Sequence, residues 1–188
     1  NKSRRKYSII SEEIGKINST DKDNFWIIDP IDGTTNFLHG VPHFAISIAL
    51  KSKDEIISGL IYDPIKNEMF YADKNNGSFF NNRRIRVSKK NDIELCLFAT
   101  NHEGSKFSDL NLRYTGCAAL DLSYVAAGRF DGFFHNAINI WDIAAGVIIV
   151  EEAGGKINDI DNFEMQNINI RASNANIYSK MMEKLNNF

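Results

Sequence analysis

Trp26-Ile27-Ile28-Asp29-Pro30-Ile31-Asp32-Gly33-Thr34-Thr35-Asn36-Phe37 carries an apolar run that ends in two carboxylates, a proline, a glycine and paired hydroxyls. Residues 26–28 read as a buried strand that delivers Asp29 to its carboxyl end. Pro30 lacks a backbone N–H and restrains the residue before it, so the chain is expected to leave the sheet there. Asp29 and Asp32 then converge on one small volume, Gly33 permits a tight backbone, and Thr34 and Thr35 stand where a helix starts. Two close carboxylates repel unless a proton or a cation lies between them. A hard cation such as Mg²⁺ takes oxygen ligands while keeping room for water and phosphate. The alternative is a plain turn, since Asp-Pro and Asp-Gly are ordinary turn dipeptides. The second aspartate, the paired threonines and the abrupt end of the strand favour a metal or phosphate site.

The 188 residues suffice for one substantial core. Lys+Arg 22 against Asp+Glu 24 leaves a net charge of -2, which supplies no global field for nucleic acid or an anionic membrane. No apolar segment approaches the length of a membrane span, and the charged opening Asn1-Lys2-Ser3-Arg4-Arg5-Lys6 has no apolar run behind it, so no membrane partner is expected. Cys96 and Cys117 make neither a disulfide framework nor a zinc motif; they read as reduced, buried thiols of a cytoplasmic protein.

Upstream of the opening stretch, 7–10 read as a strand that hands over to Ser11-Glu12-Glu13. The glutamates are either the acidic first turn of a helix or, for Glu12, a carboxylate aimed at the same pocket as Asp29. Downstream, 44–50, 56–62 and 68–72 read as antiparallel strands between charged or Asn-rich turns, and 83–87 as an edge strand with its arginines in water. These strands are apolar on both faces, so helices are expected to cover one of them.

From 95–100 onward the pattern changes to alternating strand and helix. A polar stretch over 101–112 precedes a helix over 118–127 closed by Gly128, then a short strand over 130–134 with Ile138 and Ile140 in a loop beyond it. A boundary near 89–94 divides 1–90 from 91–188. Trp141-Asp142-Ile143-Ala144-Ala145-Gly146 opens a helix of close-packing small residues that Gly154-Gly155 ends, and Asp142 reads as its N-cap, as a ligand, or as both. A strand over 156–159, a strand plus turn over 168–174 and a helix over 177–185 complete the chain. His39 and His43 read as loop positions, and His102 and His135 are isolated in sequence.

Glu12, the run from Asp29 through Phe37 and the run from Trp141 through Gly146 together resemble the inositol monophosphatase family, including bacterial members that also serve in ribosomal RNA transcription complexes. The resemblance extends from Tyr7 to the C-terminus. It implies an α+β fold, the layered αβαβα sugar-phosphatase arrangement, and Mg²⁺-dependent hydrolysis of inositol monophosphate or a similar polyol phosphate. Carried onto this chain, it implies Glu12, Asp29 and the Ile31 carbonyl as ligands of a first metal and Asp29, Asp32 and Asp142 as ligands of a second, on the order of two or three Mg²⁺ ions in all. Glu12, Asp29 and Thr34 take catalytic roles, Thr34 by orienting the attacking water. The Gly33 and Thr34 N–H groups meet the phosphate, and Gly116, Cys117, Ala118 and His135, with Asp32 and Asp142, meet the substrate.

The resemblance further implies a homodimer, with transcription-complex proteins as further partners and no autonomous nucleic-acid binding. Three departures stand out. The chain begins after the paired N-terminal helices and upstream aspartate of the family, 101–112 is short for the usual insert, and His135 stands where many members bind a substrate hydroxyl with a carboxylate. Two cations a few Å apart activate water and neutralise a leaving alkoxide, so no side-chain nucleophile is needed. The alternatives are a phosphatase of another small sugar or nucleotide phosphate, or a non-enzymatic interaction factor.

Overall fold

The computed structural model describes residues 7–101, 109–158, 160 and 165–186. The apolar run of the opening stretch lies in β3 (Asp21–Asp32), flanked by β1 (Tyr7–Ser11) with β2 (Gly15–Ile17) on one side and β4 (Ala45–Ser52) on the other. The sheet continues through β5 (Glu55–Asp63), β6 (Glu68–Asp73), β7 (Gly77–Phe80) and the two-residue edge strand β8 (Arg83–Arg84), eight strands in all. Its neighbours are antiparallel except β1 and β3, which run parallel, a departure from the all-antiparallel expectation.

A second, five-stranded sheet has the order β10 (Asn111–Arg113), β9 (Leu97–Thr100), β11 (Gly132–Ile138), β13 (Ile168–Asn174), β12 (Gly155–Ile157). Between the sheets lie α2 (Ala118–Ala126) and α3 (Ile140–Glu152); the five-residue α1 (Thr34–Leu38) follows β3, and α4 (Tyr178–Asn186) packs on the far side of the second sheet, its Met181 and the preceding Ile177 clustering with Phe98 and Phe134. The order sheet, helix pair, sheet, helix is the βαβα part of the layered αβαβα arrangement.

The period-two alternation of β4 and β5 decides which face meets the helices. Ala45, Ser47, Ala49 and Ile61 turn inward, and a single core joins Ile27, Phe70, Leu120, Phe133 and Ile149 across both sheets and α2 and α3. The opposite face carries Ile28, Ile48, Leu60, Tyr71 and Phe79, which are cross-strand partners in one row and are only half-buried. Small residues set the layer spacing. A Cβ on Gly59 of β5 would lie 2.7 Å from the Ala145 carbonyl oxygen of α3, and one on Gly146 would lie 2.4 Å from Leu122 Cδ1 of α2. The expected close-packing stretch thus seats α3 directly on the sheet and on its partner helix.

Several expectations need correction. The chain does not leave the sheet at Pro30. Asp29 pairs with Ser47 and Asp32 with Ala45, so Pro30 and Ile31 form a bulge, where a residue without an N–H breaks no ladder bond. Glu12 lies in the turn between β1 and β2 and not in a helix. Asp142 is the third residue of α3, whose N-cap is Asn139. β11 extends through Ile138, and Ile140 opens α3 where a loop was expected. The three-residue strands β2 and β10 were not anticipated. Positions 102–108, with His102, and position 159 lie outside the described residues.

Candidate active site

The bulge at the end of β3 turns Asp29 and Asp32 to one side. Asp29 Oδ1 accepts the Ile31 N–H at 2.9 Å, which holds the turn from within. Gly33 follows at φ 88, and a Cβ there would lie 3.1 Å from the His43 carbonyl oxygen and 3.3 Å from Cys117 Cβ, so only glycine lets this backbone close on the start of α2. Asp32 then reaches α2 itself. Its Oδ2 accepts the Ala119 N–H at 2.6 Å and lies 3.1 Å from the Cys117 thiol. From the other side, Asp142 Oδ2 accepts the Asn139 N–H at 3.2 Å, and Ser47, the strand partner of Asp29, donates to the Trp141 carbonyl at 3.2 Å.

The result is a trio: one carboxylate oxygen from each of Asp29, Asp32 and Asp142 lies within 4.8 Å of the others. Glu12 is exposed and stands at the edge of the same recess of about 180 Å³, with Ile31, Gly33, Thr34 and Gly116. Burial is the main cause that raises all three aspartates above the carboxylate range. Glu12 and Asp142 add to the effect on Asp29, Asp32 is pushed up to about 7, and the charge of Asp32 adds to the effect on Asp142. Asp29 Oδ2 is buried with no hydrogen-bond partner among the described residues. Buried acids that repel one another, one with an unused oxygen, lack a positive charge, and an all-oxygen donor set suits Mg²⁺ better than a soft metal. The residues present therefore fit a hard divalent cation.

A second cavity of about 330 Å³ opens from the first; Asp32, Gly116 and Asp142 border both. Cys117, Ala118 and His135 lie on its walls, so every substrate-side residue named from the sequence borders one of the two spaces. Two residues were missed. Asp121, buried in the first turn of α2, faces this cavity and accepts from Thr115 Oγ1 at 2.7 Å. Asn36 donates to the His43 carbonyl at 2.8 Å and the Thr115 carbonyl at 2.9 Å, tying α1 to the Gly116 wall. A recess of about 350 Å³ at the other end of α3, beside Glu55, Lys74 and Glu151, gathers no comparable ligand trio among the described residues.

The profile of the inositol monophosphatase family matches residues 1–187. The chain belongs to the inositol monophosphatase family. It is 39% identical to the inositol-1-monophosphatase of Caulobacter vibrioides, over 98% of this chain and 80% of that protein. To the Nus factor SuhB of Escherichia coli it is 40% identical, over 98% of this chain and 75% of the relative. The solved extragenic suppressor protein SuhB of Bartonella henselae superposes with a TM-score of 0.90 at 43% identity, covering 98% of this chain and 77% of that one. As an inositol monophosphatase family member the chain is a phosphatase, and its acidic trio suits the metal dependence of the family.

Proposed function

We propose that this chain hydrolyses inositol monophosphate or a similar polyol phosphate with Mg²⁺ and water. The observation that carries the reading is the buried trio of Asp29, Asp32 and Asp142, with its orphaned Asp29 oxygen, opening onto a polar cavity. Glu12, Asp29 and the Ile31 carbonyl would hold one ion, and Asp29, Asp32 and Asp142 another. Bound there, such ions supply an activated water and neutralise charge on the phosphate and the leaving oxygen. The protein does the positioning. The Ala119 N–H fixes the orientation of Asp32, and the capping contact of Asn139 does the same for Asp142. Thr34, whose hydroxyl donates to the Ile31 carbonyl at 2.9 Å, lines the same recess and would orient the attacking water, and the Gly33 and Thr34 N–H groups would meet the phosphate. Gly116, Cys117, Ala118 and His135 enclose the alcohol half. Cys117 is no nucleophile: burial and the neighbouring Asp32 carboxylate push its thiol well up, away from thiolate.

Phosphate release from inositol 1-phosphate, with and without Mg²⁺, tests the reading. Metal-dependent release is expected; no release from this or any related sugar phosphate overturns it. Relatives named Nus factor favour a second role with transcription-complex proteins, and the reading includes a cytoplasmic location. The net charge of -2 gives no support to autonomous nucleic-acid binding. Among the described residues no helix is long and apolar enough to cross a membrane. The exposed apolar side chains Phe37, Leu38, Val41 and Ile65 near the active-site loop support a homodimer, which light scattering at micromolar concentration checks.

A further inference from the structure

Strand β11 does not run straight into α3. His135 is paired with Ile170 and Ile138 with Ile168, so Asn136 and Ala137 together stand against Asn169 alone. Ala137 sits at φ 55, a conformation that a residue with a Cβ rarely adopts and that persists only where its surroundings impose it. Those surroundings converge from β13. Asn169 Oδ1 accepts the Ala137 N–H at 3.3 Å, and Arg171 donates Nη1 to the His135 carbonyl at 2.8 Å and Nη2 to Asn136 Oδ1. The planar guanidinium fork holds both acceptors at once in a fixed geometry. His135 Nδ1 lies 2.8 Å from the Asn136 carbonyl oxygen. A carbonyl only accepts, so Nδ1 carries a proton, and in the neutral form of the ring Nε2 is the nitrogen that accepts.

The pinned segment forms one wall of the cavity beside the acidic trio, through His135, Ala137, Ile138 and Asn139, with Asp121 also lining that cavity. Carboxylate and imidazole acceptors suit an alcohol that carries further hydroxyl donors. We propose that Arg171 is a positioning residue for substrate selection: by fixing the Asn136–Ala137 bulge it aims His135 at the alcohol half of the ester and favours polyhydroxylated alcohols. This rests on the phosphatase reading above and adds to it a residue that is not among those lining either cavity.

The test compares the full chain with R171K and R171Q on two esters at fixed Mg²⁺: inositol 1-phosphate and p-nitrophenyl phosphate, which has no further hydroxyl. The expected result is a drop of about tenfold in kcat/KM for the inositol ester, mostly through KM, with the aryl ester within about twofold and the Mg²⁺ requirement unchanged. H135A should lower the inositol preference as well, and adding R171K to it should lower that preference no further, because the two residues act through one wall. Equal losses on both esters, an unchanged preference, or a shifted Mg²⁺ requirement would overturn the proposal. Calorimetric titration with inositol 1-phosphate and inorganic phosphate decides it independently of turnover, and so separates its failure from that of the phosphatase reading. Wild-type protein should bind the inositol ester more tightly than phosphate and R171K should lose the difference; no difference in wild type, or a retained one in R171K, counts against it.

Discussion

Asp29 is the residue on which the proposed chemistry converges, because it belongs to both proposed ligand sets and keeps one buried oxygen without a hydrogen-bond partner among the described residues. D29N preserves volume and removes charge, and should lower turnover by on the order of a thousandfold, as expected for loss of a ligand shared by two ions. Steady-state phosphate release measures it; near-wild-type turnover would move the metals elsewhere. D142N separates catalysis from folding. The amide oxygen of Asn can still accept the Asn139 N–H, so thermal stability in metal-free buffer should change by less than about 1 kcal/mol while the Mg²⁺ concentration for half-maximal activity rises. The convergence of Asp29 and Asp32 was legible because both stand where an apolar run breaks off, whereas Asp142 joined them only through the resemblance of its motif. Asp121, Asn36 and Arg171 were not, since each acquires its role from a fold-dependent partner. Asn36 meets the Thr115 carbonyl 79 positions away, and Arg171 meets the His135 carbonyl 36 positions away.

Elements were legible where period and punctuation agreed. The meander from β4 to β6 and the helices α2, α3 and α4 followed from alternation, Asn and Gly turns, and the glycines after α2 and α3, whereas β7 lay in a stretch that reads as turn residues. Three-residue β2 and β10 carry too few positions to show a period, and the continuation of β3 past Pro30 depends on a bulge that only the partner strand reveals. At this scale the contact between β5 and α3 is the sharpest test of packing. A methyl at Gly59 meets the backbone of Ala145 at 2.7 Å, and a helix backbone held on two sides cannot yield cheaply. G59A should therefore lower stability by about 1–3 kcal/mol, read as a lower denaturation midpoint in urea. An unchanged midpoint would show that the layers are spaced more loosely than the structure has them.

Across the whole molecule, the acidic trio couples stability to both pH and metal. Burial raises Asp29 and Asp142 above the ordinary carboxylate range and pushes Asp32 up to about 7. Between the unfolded carboxylate value, about 4, and the raised folded values, the native state binds more protons than the unfolded chain, so these groups make stability fall as pH rises. Their contribution is fully present below the unfolded value and is lost as pH climbs through the folded ones. Asp63 acts in the opposite sense: its pKa is lowered against its own burial, chiefly by the Lys66 hydrogen bond, so its contribution is lost in acid. Mg²⁺ isolates the trio from such background terms, because a cation competes with protons for the same oxygens and binds the native state alone. The Tm difference between Mg²⁺ and EDTA samples should thus be small near pH 5.5 and widen steadily toward pH 8, and in D29N it should shrink at every pH. Paired calorimetric scans across that range measure it. A gap independent of pH would mean that the metal does not replace protons on these carboxylates, and would remove the electrostatic basis for placing it among them.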